Sequence, residues 1–170
     1  MTQSSASFEG ALSESEELLL LLETEPDKAD LMPRLYSLLS SIPGCRGFFV
    51  CYLTGESSLA DQPPDFLLDA FRKSNLAHEL LVKNLVMSSA TQLAHLRRGD
   101  DANAQGSAKV AMRSGHLIKK LALPEIQGYL NEMQLSLKSK QGKYADFVAR
   151  CNYDNEQVDT ACSAIDRLKP

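Results

Sequence analysis

The strongest constraint in this sequence is the spacing of its apolar residues, which recur three or four positions apart through most of the chain. That period places apolar side chains along one face of an α-helix, whereas a half-buried strand would alternate apolar and polar residues. Proline and glycine interrupt the pattern at short intervals. The sequence therefore predicts an all-α protein, an irregular bundle of six to eight helices of unequal length in a single domain.

One segment departs from this pattern. The run Phe48–Leu53 is apolar and contains aromatic and β-branched residues, which favour a strand. No second run of this kind offers a strand with which it would pair, and an isolated strand is not stable. We therefore interpret the run as a short buried helix. The alternative is a strand that pairs across a dimer or against an irregular edge.

The start of the chain has a different composition. Residues 1–12 are rich in serine and other small residues and show no apolar period, so we predict a flexible N-terminal tail. Ser13 and Glu16 have the spacing of a capping box, which predicts that the first helix starts there and that the helical domain covers residues 13–170. Pro26 disfavours helical geometry in the residue before it and ends the first helix.

Capping residues, prolines and glycines set the predicted bounds of the remaining helices. In chain order they predict helices over 30–41, ending before a break at Pro43 and Gly44; over 48–53; from Pro63 to Gly99, interrupted near Ser74 and Asn75; over 101–123; from Pro124 to about Gly142; over 144–151; and after a capping box at Asp154 and Gln157.

The length of 170 residues is enough to bury a core without disulfides or a structural metal. The longest apolar run, Leu18 to Leu22, is far shorter than the ~20 residues that span a bilayer, so we predict no membrane span. Acidic residues precede this run where a secretory signal would carry basic charge. We therefore expect a cytoplasmic protein.

The four cysteines and three histidines fit no pattern of metal ligands. The cysteine spacing matches no zinc site, and the sequence contains no HExxH motif, phosphate-binding glycine loop or nucleophile elbow. We expect buried, reduced thiols, and we assign no metal, no cofactor and no catalytic residue. A cysteine that folding brings to a histidine stays open, so an enzyme with a non-local site remains one hypothesis.

The net charge of −4 is unevenly distributed. Residues 1–96 carry 13 acidic and 6 basic side chains, whereas residues 97–150 carry 5 acidic and 10 basic ones. The two regions would attract each other within one fold or between subunits. A basic surface that binds anions is the functional alternative.

The helix predicted over 101–123 concentrates this basic charge on one face. Lys109, Arg113, His116 and Lys120, called the basic stripe below, recur at steps of four, three and four. They are a candidate face for binding an anionic ligand or an acidic partner. The alternatives are a solvated face or one that pairs with acidic residues of the N-terminal half. The opposite side of the helix carries a seam of mostly small residues: Ala104, Ala108, Ala111, Gly115, Ile118 and Ala122.

Two apolar segments are candidate interfaces. Leu18, Leu20 and Leu22 belong to a leucine run that covers all sides of its helix, and Phe48 and Phe49 open the second apolar run. Both carry more apolar surface than one face of a small domain buries. We therefore predict self-association, as a homodimer, through one of these segments.

Three functions remain. The first is a non-enzymatic helical interaction or scaffold module with a protein partner, which the absence of catalytic motifs favours. The second is a module that binds nucleic acid or another anion through the basic stripe. Nucleic acid is disfavoured because most aromatic residues lie on apolar stripes, where bases cannot stack on them. The third is the enzyme with a non-local site.

Overall fold

The computed structural model describes residues 7–169, and within this range the chain is helical without a strand. The predicted all-α class is confirmed, with one helix more than the predicted six to eight in the described range. A short 3-10 turn at Ser58–Ala60 separates the third and fourth helices. The helices are α1 Phe8–Thr24, α2 Leu31–Leu39, α3 Ile42–Thr54, α4 Asp65–Arg72, α5 Asn75–Arg97, α6 Asp101–Leu121, α7 Pro124–Ser139, α8 Ala145–Cys151 and α9 Asn155–Asp166.

The ambiguous run Phe48–Leu53 lies inside α3, so its interpretation as a buried helix is confirmed. Helical geometry brings Phe48, Phe49 and Tyr52 to one side, where they surround Phe71 of α4 with ring centroids 5.4 to 5.9 Å from it. All four rings are buried. A strand would have sent Phe48 and Phe49 to opposite faces.

The first helix starts earlier than predicted. Ser7, rather than Ser13, caps α1, because its Oγ accepts a hydrogen bond from the backbone N–H of Gly10 at 3.0 Å. Residues 8–12, which we predicted to belong to the tail, are therefore helical. Residues 1–6 of the predicted tail lie outside the described residues.

We predicted a break between two helices at Pro43 and Gly44. This prediction is wrong, because both residues lie in the first turn of α3. Proline is favoured there because its missing N–H has no partner in the first turn of a helix. Ser41 caps this helix by accepting from the N–H of Gly44 at 3.1 Å. The α2–α3 connection is accordingly short, since α2 ends at Leu39 and α3 begins at Ile42.

Other predicted boundaries are confirmed. The long tract from Pro63 to Gly99 is interrupted where predicted, between α4 and α5. The Oγ of Ser74 accepts from the N–H of Ala77 at the start of α5 and donates to the carbonyl oxygen of Leu39. Asp154 and Gln157 form the predicted capping box of α9.

The chain divides into two compact units, unit 1 up to Leu80 and unit 2 from Leu81, with the boundary inside α5. The prediction of a single domain over residues 13–170 stays a prediction. In unit 1, α1 packs along α3. In unit 2, α7 packs against α8 and α9. Within residues 7–169, none of the helices combines the length and the apolar character needed to cross a membrane.

Candidate docking groove

A groove of about 440 Å³ lies in unit 2 between α5, α6 and the C-terminal end of α9. It has room for a ligand or for a segment of another chain. Met112 of α6 lies at its rim with 62% of its surface exposed. The lining residues are Leu85, Ser89, Gln92, Ala108, Ala111, Met112, Gly115, His116, Lys119, Thr160, Ala164, Arg167 and Leu168.

Small residues form the floor of the groove. Ala108, Ala111 and Gly115 follow one another on α6 at steps of three and four, which places them on one side of the helix. Ala164 contributes a further methyl group from α9. Because Ala108 and Ala111 do not extend beyond Cβ, a docked helix would approach the α6 backbone closely there. At Gly115 the side chains of Leu85 and Leu168 already pack against the backbone, since an added Cβ would lie 3.6 Å from Leu168 and 3.8 Å from Leu85.

The ionisable side chains of the lining are all basic. His116 and Lys119 of α6 and Arg167 after α9 are exposed and line the groove. The lining contains no aspartate and no glutamate. An unneutralised basic rim over an apolar floor suits a ligand that carries both apolar surface and negative charge.

Three acidic side chains at α9, those of Asp154, Glu156 and Asp166, have partners that do not line the groove. Nη1 of Arg97 lies 2.6 Å from Oδ2 of Asp154, and Nη2 of the same guanidinium contacts Glu156. The hydrogen bond from Arg97 and that from the N–H of Gln157 hold the pKa of Asp154 below its usual value. Asp166 accepts from Nε2 of Gln134 at 2.7 Å.

Side-chain hydrogen bonds fix α9 and the residues after it beside the groove. Nε2 of Gln157 donates to the carbonyl oxygen of Ala90 in α5 at 3.2 Å. Nε2 of Gln127 in α7 donates to the carbonyl oxygen of Leu168 at 3.4 Å. These contacts hold both ends of α9, so Arg167 and Leu168 line the groove from a supported position.

The predicted basic stripe is not a single exposed face. Arg113 is only 3% exposed and Lys109 is half-buried, whereas His116 and Lys120 are exposed. Of the four, only His116 lines the groove. The predicted close-packing seam is also divided, because Ala104 and Ile118 are buried while Ala108 and Ala111 open onto the groove.

Sequence reasoning missed most of the groove. Lys119 lies outside the predicted basic stripe, and Arg167 comes from a helix end 48 positions later in the chain. No periodicity links residues on different helices, so the sequence holds no signal for the Arg167 contribution. The run of small residues on α6 was the one available indication.

The predicted interface residues are mostly in the core of unit 1. Leu18, Leu22, Phe48 and Phe49 are buried, so in this structure they offer no surface to a second chain. These four side chains therefore do not provide the excess exposed apolar surface that the prediction of an interface assumed. Leu20 is 60% exposed and remains a candidate.

The three cysteines with a resolved pKa shift, Cys45, Cys51 and Cys162, all have a raised pKa because they are partly or wholly buried. All four cysteines are free thiols, and burial raises the pKa of Cys45 to about 12. Burial, and secondarily Glu16, raises the pKa of Cys51. A thiol with a raised pKa is a poor nucleophile because the thiolate is the reactive form. Among residues 7–169, histidine, cysteine and carboxylate side chains do not gather into a group of three that would hold a metal ion.

A smaller cavity of about 210 Å³ lies in unit 1 between α1, α2 and the start of α3. The guanidinium of Arg34 spans part of its wall. Nε donates to Glu14 at 2.6 Å and Nη2 donates to Glu17 at 3.0 Å. Because Arg34 pairs with Glu14 and Glu17, the charged groups at this cavity have a structural role and do not indicate a ligand site.

Residues 7–168 match the model of a protein family described as "Uncharacterised conserved protein UCP020893". The match covers nearly the whole chain. The chain belongs to this family. Both the groove in unit 2 and the core of unit 1 lie within the part that matches the family model. No curated protein and no solved structure shows a significant match to the chain.

Proposed function

We propose that this family member is a non-enzymatic helical interaction module whose unit 2 groove binds an acidic amphipathic helix of a partner protein. One observation carries the proposal: the groove joins a floor of small side chains to three basic side chains and includes no acidic one. Helix-in-groove recognition uses this combination of an apolar contact and charges at the rim.

The floor favours a helix as the occupant. A docked helix presents apolar residues three or four positions apart, and Ala108 and Ala111, three positions apart on α6, let it approach closely. Met112 at the rim adds an adaptable apolar contact, because its unbranched thioether adjusts to different partners. A small organic ligand would need a more enclosed site, since such sites bury most of the ligand surface.

The basic rim determines which helices bind. His116, Lys119 and Arg167 attract a segment rich in aspartate or glutamate and repel a basic one. The association rate with an acidic segment should fall as salt screens these charges. All four thiols are free, which suits the reducing cytoplasm that we propose as the location.

Binding of an anion, including nucleic acid, by the exposed basic side chains near the C-terminal end of α6 is the second candidate. Lys119 and Lys120 are adjacent and exposed, which supports it. The burial of Arg113 makes this candidate weaker, because a surface that binds the phosphate backbone of nucleic acid uses several accessible cations.

Variants of two neighbouring lysines distinguish peptide binding in the groove from anion binding on α6. Lys119 lines the groove and Lys120, its neighbour on the same helix, does not. We would titrate wild type, Lys119→Glu and Lys120→Glu with a fluorescent helical peptide that carries leucines at helical spacing flanked by glutamates. Fluorescence anisotropy measures Kd at two salt concentrations. A peptide with lysine in place of glutamate and a single-stranded RNA are the comparison probes.

The proposal expects the acidic peptide to bind more tightly than its lysine counterpart. Lys119→Glu should raise Kd by about tenfold, equivalent to about 1.4 kcal/mol, while Lys120→Glu leaves it nearly unchanged. Equal binding of both peptides contradicts the proposal. RNA binding that both variants weaken equally supports the anion-binding candidate instead.

A further inference from the structure

The outer face of α1 in unit 1 is acidic with a single large apolar side chain. Glu9, Ser13, Glu16 and Glu23 are exposed along it at helical spacing, and α1 contains no basic residue. Leu20 projects from the same face with 60% of its surface exposed. This set of residues is called the α1 ridge below.

Packing explains why Leu20 alone is available. Leu18, Leu19 and Leu22 are buried in unit 1, which α1 forms mainly with α3. One turn of helix cannot direct five consecutive leucines to the same side. Leu20 is therefore left among glutamates on the solvent side.

The α1 ridge and the groove have complementary chemistry. The ridge offers one apolar side chain between carboxylates, and the groove offers small side chains beside two cations, Lys119 and Arg167, and the imidazole of His116. Glu16 lies one helical turn before Leu20 and is exposed. A Leu20 side chain placed over Ala111 would bring neighbouring carboxylates toward a basic rim without opposing like charges.

We propose that a second copy of this chain occupies the groove, with its α1 ridge seated on the floor of unit 2. The proposal rests on the proposed function, because it names a partner for the same groove. It also gives a specific form to self-association through the Leu18 to Leu22 segment. Each copy carries one ridge and one groove, so a dimer in which the copies exchange ridges would contain two such contacts.

A charge-swap experiment tests the pairing. Glu16→Lys makes the ridge repel a wild-type groove, and Lys119→Glu makes the groove repel a wild-type ridge. Sedimentation velocity over about 5 to 500 μM at low salt measures the dimer Kd of each full-length chain. Circular dichroism shows whether each variant keeps its helical content.

Wild type is expected to dimerise, and each single variant should raise the dimer Kd by at least about tenfold. An equimolar mixture of Glu16→Lys and Lys119→Glu should recover association, because both contacts of the mixed pair then join opposite charges. The double variant should likewise recover self-association. Leu20→Gln should weaken every one of these pairs, and Lys120→Glu is the control that leaves dimerisation unchanged.

Recovery in the mixture is the decisive result, because a general loss of stability in either variant would not be repaired by mixing. A wild type that stays monomeric throughout the range overturns the inference. A dimer that Leu20→Gln and Lys119→Glu leave intact also overturns it. If wild type stays monomeric but binds the acidic peptide, and Lys119→Glu weakens that binding, the proposed function survives without the dimer. If the acidic peptide does not bind, the proposed function is wrong.

Discussion

At the scale of single residues, two helical glycines show opposite environments. A Cβ on Gly47 of α3 would lie 2.8 Å from Cβ of Ala11 and 2.9 Å from its carbonyl carbon, so the backbones of α1 and α3 are nearly in contact there. A Cβ on Gly106 of α6 would meet no heavy atom within 4 Å. Replacement of glycine by alanine should therefore have different effects on stability at Gly47 and at Gly106.

We expect Gly47→Ala to destabilise the protein by about 1 to 3 kcal/mol, because the added methyl group forces two packed helices apart. Gly106→Ala should stabilise it by about 0.5 to 1 kcal/mol, because alanine is the better helix former and nothing obstructs it. Urea unfolding at constant pH measures both. Equal stability of wild type and Gly47→Ala would contradict the close approach of α1 and α3.

Two residue placements mark the limit of sequence reasoning at this scale. A helical wheel assigns Arg113 to the same side as Lys109 and Lys120, yet Arg113 is buried and Lys120 is exposed. The wheel orders side chains by angle, but neighbouring elements determine how wide the buried arc is. The exposure of Leu20 among buried leucines is unpredictable for the same reason.

At the scale of helices, the capping box of α9 couples local structure to pH. The Asp154 carboxylate accepts from the N–H of Gln157 at 2.9 Å and pairs with Arg97. These contacts lower its pKa in the folded state. A lowered folded pKa means that the stabilisation is present above the unfolded pKa and is lost as pH falls through the folded pKa.

Asp154→Asn should reduce the loss of stability in acid. Asparagine still caps the helix, but it has no carboxylate to protonate. At neutral pH we expect the variant to be less stable than wild type, and the two urea midpoints should converge as pH falls below about 3.9, the usual aspartate pKa. Asp159→Asn, an exposed change on the same helix, is the matched control. Parallel pH curves for wild type and Asp154→Asn would refute the coupling.

Helix boundaries were predictable where the signal is local. The Asp154–Gln157 box, the Pro124 start and the interruption before Asn75 each depend on residues within one turn. The start of α1 was not predictable this way. Ser7 and Ser13 both have the chemistry of a cap, but Ala11 packs against Gly47, and this distant contact accompanies the earlier start.

At the scale of the whole molecule, the sequence shows an uneven charge distribution, but it does not predict the groove that some of the basic side chains line. The groove draws on α5, α6 and α9, and its residues extend from Leu85 to Leu168. A single sequence indicates which face of each helix is apolar, but it does not indicate which helices become neighbours. The basic charge of α6 was visible, whereas its association with Arg167 and an apolar floor requires the tertiary fold.

At the same scale, buried apolar side chains hold the fold together. Both units bury apolar side chains, including Phe48 and Phe71 in unit 1 and Leu117 and Ile165 in unit 2. Burial of such residues contributes about 1.5 to 3 kcal/mol for each side chain before the entropic cost of folding. The four thiols are free, so no covalent cross-link adds to this. We therefore expect the helical circular dichroism signal and the thermal midpoint to be unchanged by a chelator together with a reductant. A fold that depended on metal would instead lose its helical signal on chelation, because metal binding and folding are then one equilibrium.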